Sequence, residues 1–346
     1  MVRFSIVQSL ALVALLSSVA GHGPAPSPPY EVLGSIDVAT GESSIFLFRG
    51  AMYLLENIFC GYIDHAGQWD PRFAGKSYAR VRELETGAIV ANVTETAGTS
   101  FVSAFVDGDT VWLSALNEDR CKKQCGTGVL AIKSTDLTTW TSKLALPDAS
   151  TCNTEVARVA AVGRSAALPP HRYVMILEPF TFMLNNNADG DLTGGWFPAP
   201  NATAPPGPSG GPSIRHSGDF YYVITGGQTV YLFRSRDLRT WEAQKAASPV
   251  FIRPTAPDAT VAPLAGFPAQ ASRKGFDTMA GHPELWDQNS NDADVCCYND
   301  GDDAGSWVIW GASTQGGRPT PPAKHGSTNV VARSNLSLPL LLESFF

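Results

Sequence analysis

Charged residues are scarce in this chain, and the scarcity excludes several classes of protein. Only 16% of the 346 residues are Asp, Glu, Lys or Arg, whereas there are 32 Gly and 25 Pro. Long apolar faces of helical period are also missing, so the composition argues against a helical protein. The net charge is −7 without any basic run, which argues against a nucleic-acid partner. A neutral ligand fits this charge better than a polyanion does.

Motifs for metals and for activated nucleophiles are missing as well. The six His show no metal-binding spacing, and no C-x-x-C or H-x-x-x-H set accompanies the six Cys. We therefore expect no metal and no cofactor. G-x-S-x-G, the nucleophile motif of many hydrolases, does not occur. In C-K-K-Q-C we expect a disulfide between Cys121 and Cys125 across a loop tip, and the pairing of the other four cysteines stays open.

Outside the N-terminal segment, no apolar stretch approaches the length that spans a membrane, so we expect no membrane partner. Residues 1–20 combine Arg3, the apolar run F-S-I-V-Q-S-L-A-L-V-A-L-L-S-S-V-A and a small-residue cleavage site, which predicts a signal peptide and secretion. Residues 21–35 form a Pro-rich leader. Three N-x-S/T sequons suit a secreted glycoprotein with disulfides. They are at Asn92, Asn201 and Asn335.

The chain does contain a seven-residue motif that occurs twice. S-T-D-L-T-T-W (134–140) is repeated as S-R-D-L-R-T-W (235–241), and an imperfect copy lies at 188–197. At a similar period, the chain contains five segments in which two short strands flank a turn with Gly or Asp. A period near 50 residues with a hairpin in every unit predicts a solenoid or propeller, and a closed ring removes exposed end units. We predict an all-β fold, a five-bladed β-propeller over residues 36–346.

The repeated motif is predicted to be structural. Its Asp residues, 136 and 237, are expected to accept backbone N–H bonds in the turn between outer strands. Its Leu residues are expected to point inward, and its Trp residues to fill the gap between adjacent sheets.

With strand, G-x-Y-Y-like and S-x-D-L-x-x-W segments in this order, the chain resembles the five-bladed β-propeller glycosidase superfamily, which includes families 43 and 32. The resemblance covers residues from about 36 to the C-terminus. It implies a pocket on the ring axis, where the first residues of each innermost strand converge, and an oligo- or polysaccharide substrate. Hydrolysis there needs two carboxyl groups, one donating a proton and one acting as base or nucleophile.

The resemblance also assigns residues to this pocket. Glu42, in G-E-S-S-I-F-L-F, would be the base or nucleophile of the first unit. Glu155, in T-C-N-T-E-V-A-R-V, would be the general acid of the third. The predicted substrate-binding residues are Asn153, Arg215, Asp292 and Asp294.

The second unit departs from the family pattern, because G-T-S-F-V-S-A-F-V-D-G-D begins without a carboxylate. This departure supports an alternative, a propeller that binds a glycan or a protein without catalysis. The sequence leaves open whether the protein is an enzyme, which sugar and linkage it acts on, and whether hydrolysis would retain or invert configuration.

Overall fold

The computed structural model describes the chain in eleven ranges. They are residues 31–36, 43–58, 71–73, 75–118, 125–159, 165–207, 210–226, 231–244, 290–296, 306–313 and 327–346. The predicted signal peptide, most of the leader and Glu42 lie outside them. In these ranges, no helix has the length and apolar character needed to cross a bilayer.

The described strands form five four-stranded antiparallel sheets, and the chain has an all-β propeller architecture. The first strand is β1 (Glu31–Ile36). Sheet 1 contains β2 (Ser43–Phe48), β3 (Ala51–Ile58), β4 (Tyr78–Glu83) and β5 (Ile89–Val93). Sheet 2 contains β6 (Ser100–Asp107), β7 (Thr110–Leu116), β8 (Gly126–Ser134) and β9 (Thr141–Thr151). Sheet 3 contains β10 (Thr154–Arg158), β11 (Tyr173–Leu177), β12 (Thr181–Asn185) and β13 (Trp196–Pro198).

The last two sheets complete the set. Sheet 4 contains β14 (Gly210–Ser217), β15 (Phe220–Gly226), β16 (Tyr231–Ser235) and β17 (Glu242–Ala243). Sheet 5 contains β18 (Ser290–Cys296), β19 (Ser306–Ser313) and β20 (Ser327–Ser334), with β1 added beyond β20. A short helix, α1 (Leu338–Glu343), follows β20. The five predicted hairpins are therefore present as β2–β3, β6–β7, β10–β11, β14–β15 and β18–β19.

Sheets 1 to 4 each use consecutive strands, whereas sheet 5 joins the two ends of the described chain. β1 pairs with β20, from Glu31 opposite Arg333 to Ile36 opposite Asn329. Residues 31–35, which the sequence assigned to the leader, therefore belong to a sheet. This strand was not predicted because it pairs with β20, at the far end of the chain, and not with β2, the next strand in the sequence.

The first strand of each sheet contacts the first strand of the next. β2 contacts β6, β6 contacts β10, β10 contacts β14, β14 contacts β18, and β18 contacts β2. Buried apolar side chains fill the spaces between successive sheets, as when Ile45 and Val81 of sheet 1 cluster with Val102 and Leu113 of sheet 2. The innermost strands thus lie side by side, and the residues at their starts come close together.

The repeated S-x-D-L-x-x-W motif is a turn stabiliser, as predicted. Asp237 Oδ1 accepts hydrogen bonds from the backbone N–H groups of Arg239 and Thr240, both at 2.9 Å. Asp136 makes the same pair of bonds in the first copy. Those bonds, the Thr139 N–H first and the Thr138 N–H second, lower the pKa of Asp136 below its ordinary value.

The apolar residues of the motif also have their predicted places. Leu137 and Leu238 are buried and adopt left-handed backbone conformations, with φ of 64° and 59°. Trp140 is buried between sheets 1 and 2, and Trp241 packs against the core between sheets 3 and 4. The S-x-D-L-x-x-W motif recurs because the same turn and the same gap between sheets recur.

Replacing Asp237 by Ala should lower the free energy of unfolding at pH 7 by about 1–2 kcal/mol, because two backbone N–H groups lose a charged acceptor. Burial raises the pKa of Asp237, but the N–H bonds from Thr240 and Arg239 outweigh it and leave the pKa below 3.8. A lowered carboxyl pKa stabilises the fold above the unfolded value and ceases to do so as the pH falls through the folded value. The difference between wild type and variant should therefore shrink below about pH 4.

Urea denaturation at pH 7 and at pH 3 measures this effect. Asp219→Ala is the control, because Asp219 lies on the same sheet in an exposed pair with Arg236. If both variants lose the same free energy of unfolding, the role assigned to Asp237 in the turn is contradicted.

The disulfide prediction for C-K-K-Q-C was wrong. Cys125 is bonded to Cys152, which is 27 residues away in sequence. The bond joins the segments that precede β8 and follow β9, since Gly126 and Thr151 are opposite each other in the sheet. Pairing along the edge of a sheet brought these two sulfurs together, which spacing in the sequence does not reveal.

Candidate functional site

Glu155 lies at the start of the innermost strand of sheet 3, as the sequence predicted. Its carboxylate accepts a hydrogen bond from Arg215, the predicted basic residue of sheet 4, and the two form an ion pair. The other oxygen accepts the backbone N–H of Ile214 at 3.2 Å. Glu155 is only 4% exposed. The pair ties β10 to β14 where the inner strands meet.

This environment favours a negative charge on Glu155. A guanidinium and a backbone N–H beside a carboxylate stabilise its ionised form. Arg215 is itself anchored, because its Nη1 also donates to the carbonyl of Ile214 at 2.6 Å. An ionised carboxylate held in this way suits a base, a nucleophile or a ligand for sugar hydroxyls better than a proton donor.

Asn153, predicted to bind substrate, lies just before β10 and contacts a carboxylate that the sequence analysis did not single out. Its Nδ2 donates to Glu178 Oε2 at 3.0 Å, and its carbonyl accepts the N–H of Glu178 at 3.0 Å. The Thr151 hydroxyl lies 2.7 Å from the Asn153 carbonyl and 2.9 Å from that of Glu178. Because Cys152 is in the disulfide, the segment that carries Asn153 is covalently anchored.

The start of sheet 2 is neutral in the structure, as in the sequence. The Ser103 hydroxyl donates to the Thr154 carbonyl at 2.7 Å and lies 2.8 Å from the Ser114 hydroxyl. Sheets 1 and 2 are joined by an amide, since Asn57 accepts from the N–H of Val102 at 2.8 Å and donates to its carbonyl at 2.9 Å. Uncharged side chains therefore join sheets 1, 2 and 3 at these positions, whereas the far ends of β6 and β10 carry the ion pair of Asp107 with Arg158, at 2.7 Å.

The remaining predicted residues are only partly described. Glu42 immediately precedes β2 and lies outside the described residues. Asp292 and Asp294 belong to β18, where the pairing with β19 is irregular between Asn291 and Asp294, but their side chains lie outside the described part. Similar irregularities occur at the starts of β6 and β14. Three inner strands therefore bend at corresponding positions.

A second charged group that sequence reasoning missed lies in sheet 1. Glu56 on β3 accepts from Arg80 Nε at 2.5 Å and from Arg82 Nε at 3.2 Å, and all three residues are at most 1% exposed. The one available signal was the regular spacing of Arg80 and Arg82 on one face of a strand. For Glu178, the signal was a carboxylate ending the apolar run Y-V-M-I-L.

Trp69, Trp196 and Trp286 are candidates for stacking on sugar rings, because the sequence places them in loops. Trp196 is half-buried and donates to the carbonyl of Leu192 at 2.9 Å. Trp69 and Trp286 lie outside the described residues. Among the residues that are described, no three His, Cys, Asp or Glu side chains are grouped as metal ligands.

No protein-family model and no curated protein matches the chain. Solved structures do match. One is a single-site mutant of the GH43 protein BlXynB from Bacillus licheniformis, with a TM-score of 0.50 and 14% identity over 86% of this chain and 52% of that one. Another is an N-acetylgalactosamine deacetylase from F. plautii, in complex with blood group B trisaccharide, with a TM-score of 0.50 and 9% identity over 92% and 98%.

A third structure is the Bombyx mori GH32 beta-fructofuranosidase BmSUC1, with a TM-score of 0.46 and 10% identity over 88% of this chain and 62% of that one. The chain thus spans about half the length of the GH43 protein and less than two thirds of the GH32 enzyme. At 9–14% identity, the likeness to the two structures with TM-scores of 0.50 concerns the fold alone, and it agrees with the all-β propeller architecture described above.

Proposed function

We propose that this protein is a secreted, carbohydrate-active five-bladed propeller that binds an oligo- or polysaccharide at the axial ends of its inner strands and hydrolyses a glycosidic bond there. Five four-stranded sheets and the cyclic contacts of their first strands support the blade number. The signal-like sequence of residues 1–20 supports secretion. Sugar-active proteins among the structures of similar fold support the substrate class.

The observation that carries the proposal is the Glu155–Arg215 ion pair, which is almost buried where two inner strands meet. Burying two charges is costly, and apolar residues of similar size stabilise a protein at least as well. The position of the pair at the meeting ends of two inner strands, and not its burial alone, is why we assign it to ligand binding. As an ionised carboxylate, Glu155 would accept hydrogen bonds from the hydroxyl groups of a sugar or activate water. Glu42, Asn153, Asp292 and Asp294 stay predicted members of the site.

A non-catalytic glycan-binding propeller is the second candidate, and one observation favours it. The start of sheet 2 has Ser103 and Ser114 in place of a carboxylate, and both hydroxyls contact the backbone carbonyl of Thr154. Without a carboxylate at this position, the site still has polar groups that recognise sugar hydroxyls. Both candidates predict affinity for a glycan, but only the first predicts that the glycan is hydrolysed.

Binding to arrays of plant and algal polysaccharides, followed by release of reducing ends from the glycans that bind, tests both candidates. The decisive variant is Glu155→Gln combined with Arg215→Gln, because a neutral amide pair leaves no unpaired buried charge. We expect it to remain folded by circular dichroism and to lose at least about tenfold in affinity, corresponding to about 1.4 kcal/mol.

The control replaces the exposed Arg236–Asp219 pair of the same sheet by Gln and Asn, and should bind as wild type does. A folded Glu155/Arg215 variant with unchanged affinity would reject the site. Absence of binding to every glycan by the wild-type protein would reject the carbohydrate-active proposal, and binding without turnover would select the second candidate.

A further inference from the structure

Two of the three N-x-S/T sequons place their Asn on the surface of the folded chain. In the first of these, N-A-T (201–203), Asn201 is an exposed turn residue that follows β13. The next residue, Ala202, packs against the apolar cluster that fills the space between sheets 3 and 4. The sequon is therefore anchored in the core through its middle residue, while its Asn faces solvent.

Hydrogen bonds hold the rest of this sequon against the repeated motif of sheet 4. The Thr203 N–H donates to the carbonyl of Leu238 at 2.9 Å, and the Thr203 hydroxyl donates to that of Arg239 at 2.6 Å. The Trp241 indole N–H donates to the Thr203 carbonyl at 2.9 Å. Asn201 has a φ of 56°, a left-handed conformation that Asn adopts more readily than most residues. The backbone of this sequon is thus fixed in a form that presents Asn201 to solvent.

The sequon N-L-S (335–337) has the same arrangement. Asn335 is exposed in the bend between β20 and α1. Leu336 packs against the apolar cluster shared by sheet 4 and α1. The carbonyl of Ser337 accepts the N–H of Leu341 at 2.8 Å, in the first turn of α1. Here too the middle residue faces the core, so a sugar chain attached to the Asn extends away from the fold.

The sequon N-V-T (92–94) differs, because its Asn belongs to a strand that is covered on both faces. Asn92 lies on β5 opposite Arg80 of β4, which is in turn opposite Glu56 of β3. Residues opposite each other share a face, so Asn92 lies beside the fully buried pair of Arg80 and Glu56. Asn92 is half-buried, its Oδ1 is buried, and Val93 on the other face is 0% exposed. A bulky glycan on Asn92 would force β5 away from this pair.

We propose that Asn201 and Asn335 carry N-linked glycans in the secreted protein and that Asn92 does not. The inference rests on the proposed function only through secretion, which brings the chain to the enzyme that glycosylates sequons. The donor is a lipid-linked diphospho-oligosaccharide. The Asn Nδ2 loses one proton and bonds to the anomeric carbon of the first sugar. The bond from that carbon to the diphosphate oxygen breaks, and its electrons leave with the lipid diphosphate.

Glycans at these two positions leave the candidate site open. Asn201 follows the outermost strand of sheet 3, whereas Glu155 lies on the innermost strand. Asn335 follows Ser334, which is opposite Ser306 at the beginning of β19. The start of β18 pairs with the other end of β19, so Asn335 lies at the end of sheet 5 that is remote from the starts of the inner strands. Glycosylation of both residues is therefore compatible with binding of a substrate at those starts.

Peptide mapping of the full chain expressed in cultured mammalian cells tests the assignment. Peptide N-glycosidase in heavy-oxygen water converts each glycan-bearing Asn into labelled Asp, and we expect label at Asn201 and Asn335 and none at Asn92. On gels, Asn201→Asp and Asn335→Asp should each lose one step of the mobility shift that this enzyme causes, and the double variant should lose the whole shift. Asp tolerates the left-handed backbone of residue 201 as Asn does.

Thr94→Ala is the matched control, because it removes the third sequon at an exposed residue and leaves Asn92 in place. It should keep the mobility shift of the wild type. A reduced shift in this variant, or label at Asn92 in the folded secreted protein, would overturn the exclusion of Asn92.

A second expression, with a proven signal peptide in place of residues 1–20, separates glycosylation from secretion. Peptides are mapped on the protein from the medium and from the cells in both expressions. If only the second form is secreted and is labelled at Asn201 and Asn335, the secretion proposal fails and the glycan assignment stands. If the chain with the proven signal peptide carries no label at Asn201 or Asn335, the assignment of that residue is overturned, whatever the first expression shows.

Discussion

Glu56→Gln should lower the free energy of unfolding by about 3–5 kcal/mol, the usual cost of removing one partner from a buried ion pair. Glu56 contacts Arg80 and Arg82 through its two oxygens, and none of the three side chains is more than 1% exposed. Without the carboxylate, two guanidinium groups would stay in a poorly hydrated interior with one fewer acceptor. Because a domain of this kind is only marginally stable, a loss of this size removes a large part of its total stability.

Urea denaturation monitored by tryptophan fluorescence measures this loss. Glu242→Gln is the control, because Glu242 pairs with Arg234 at 2.8 Å but is 57% exposed. Exposed pairs contribute about 0–1 kcal/mol. If both variants lose less than about 1 kcal/mol, the interior pair contributes no more than a surface one and the expectation is wrong.

Leu341→Ala should destabilise the protein by about 2–5 kcal/mol, the range for truncating a buried Leu. Leu341 lies in α1 and is fully buried, as is Leu342. They share one apolar cluster with Tyr222 of sheet 4 and Ala332 of β20, so α1 covers the joint between sheets 4 and 5. The helix is too short to be stable alone, and its packing on these sheets is what holds it.

Leu340→Ala provides the matched control, because Leu340 is the neighbouring residue of the same helix and is 60% exposed. It should change the free energy of unfolding by about 0.5 kcal/mol or less. Thermal and urea unfolding of the two variants side by side measures the difference. Equal stabilities for the two variants would show that α1 does not secure this joint.

Polar contacts at the end of α1 support the same role. The Tyr222 hydroxyl donates to Glu343, and Arg234 Nη1 donates to the other Glu343 oxygen at 2.8 Å. Burial raises the pKa of Tyr222 above its ordinary value, and the hydrogen bond to Glu343 raises it further. The Arg234 guanidinium also lies over the ring of Phe346, 4.2 Å from its centroid. The C-terminal residues therefore bind sheet 4 through apolar, ionic and aromatic contacts together.

The candidate site shows how far sequence reasoning carries and where it stops. Glu155 and Arg215 were both identified, because each occupies a recognisable place in a repeated unit. Their ion pair was not, since the two residues are 60 positions apart and meet only when sheets 3 and 4 pack. Glu178 was missed for a related reason, because its neighbour Asn153 is 25 positions away on the adjacent strand.

The sequence by itself determined the features that depend on neighbouring residues. Glycine-containing turns between short apolar strands predicted the hairpins. The Asp of the repeated motif predicted a hydrogen-bonded turn, and its Leu and Trp predicted apolar side chains packed between the sheets. Only the tertiary structure decided which distant groups meet: Cys125 with Cys152, β1 with β20, and Glu56 with Arg80 and Arg82. Local geometry follows from the torsional and hydrogen-bonding preferences of a few adjacent residues, whereas these pairings depend on strand register and on how whole sheets pack against one another.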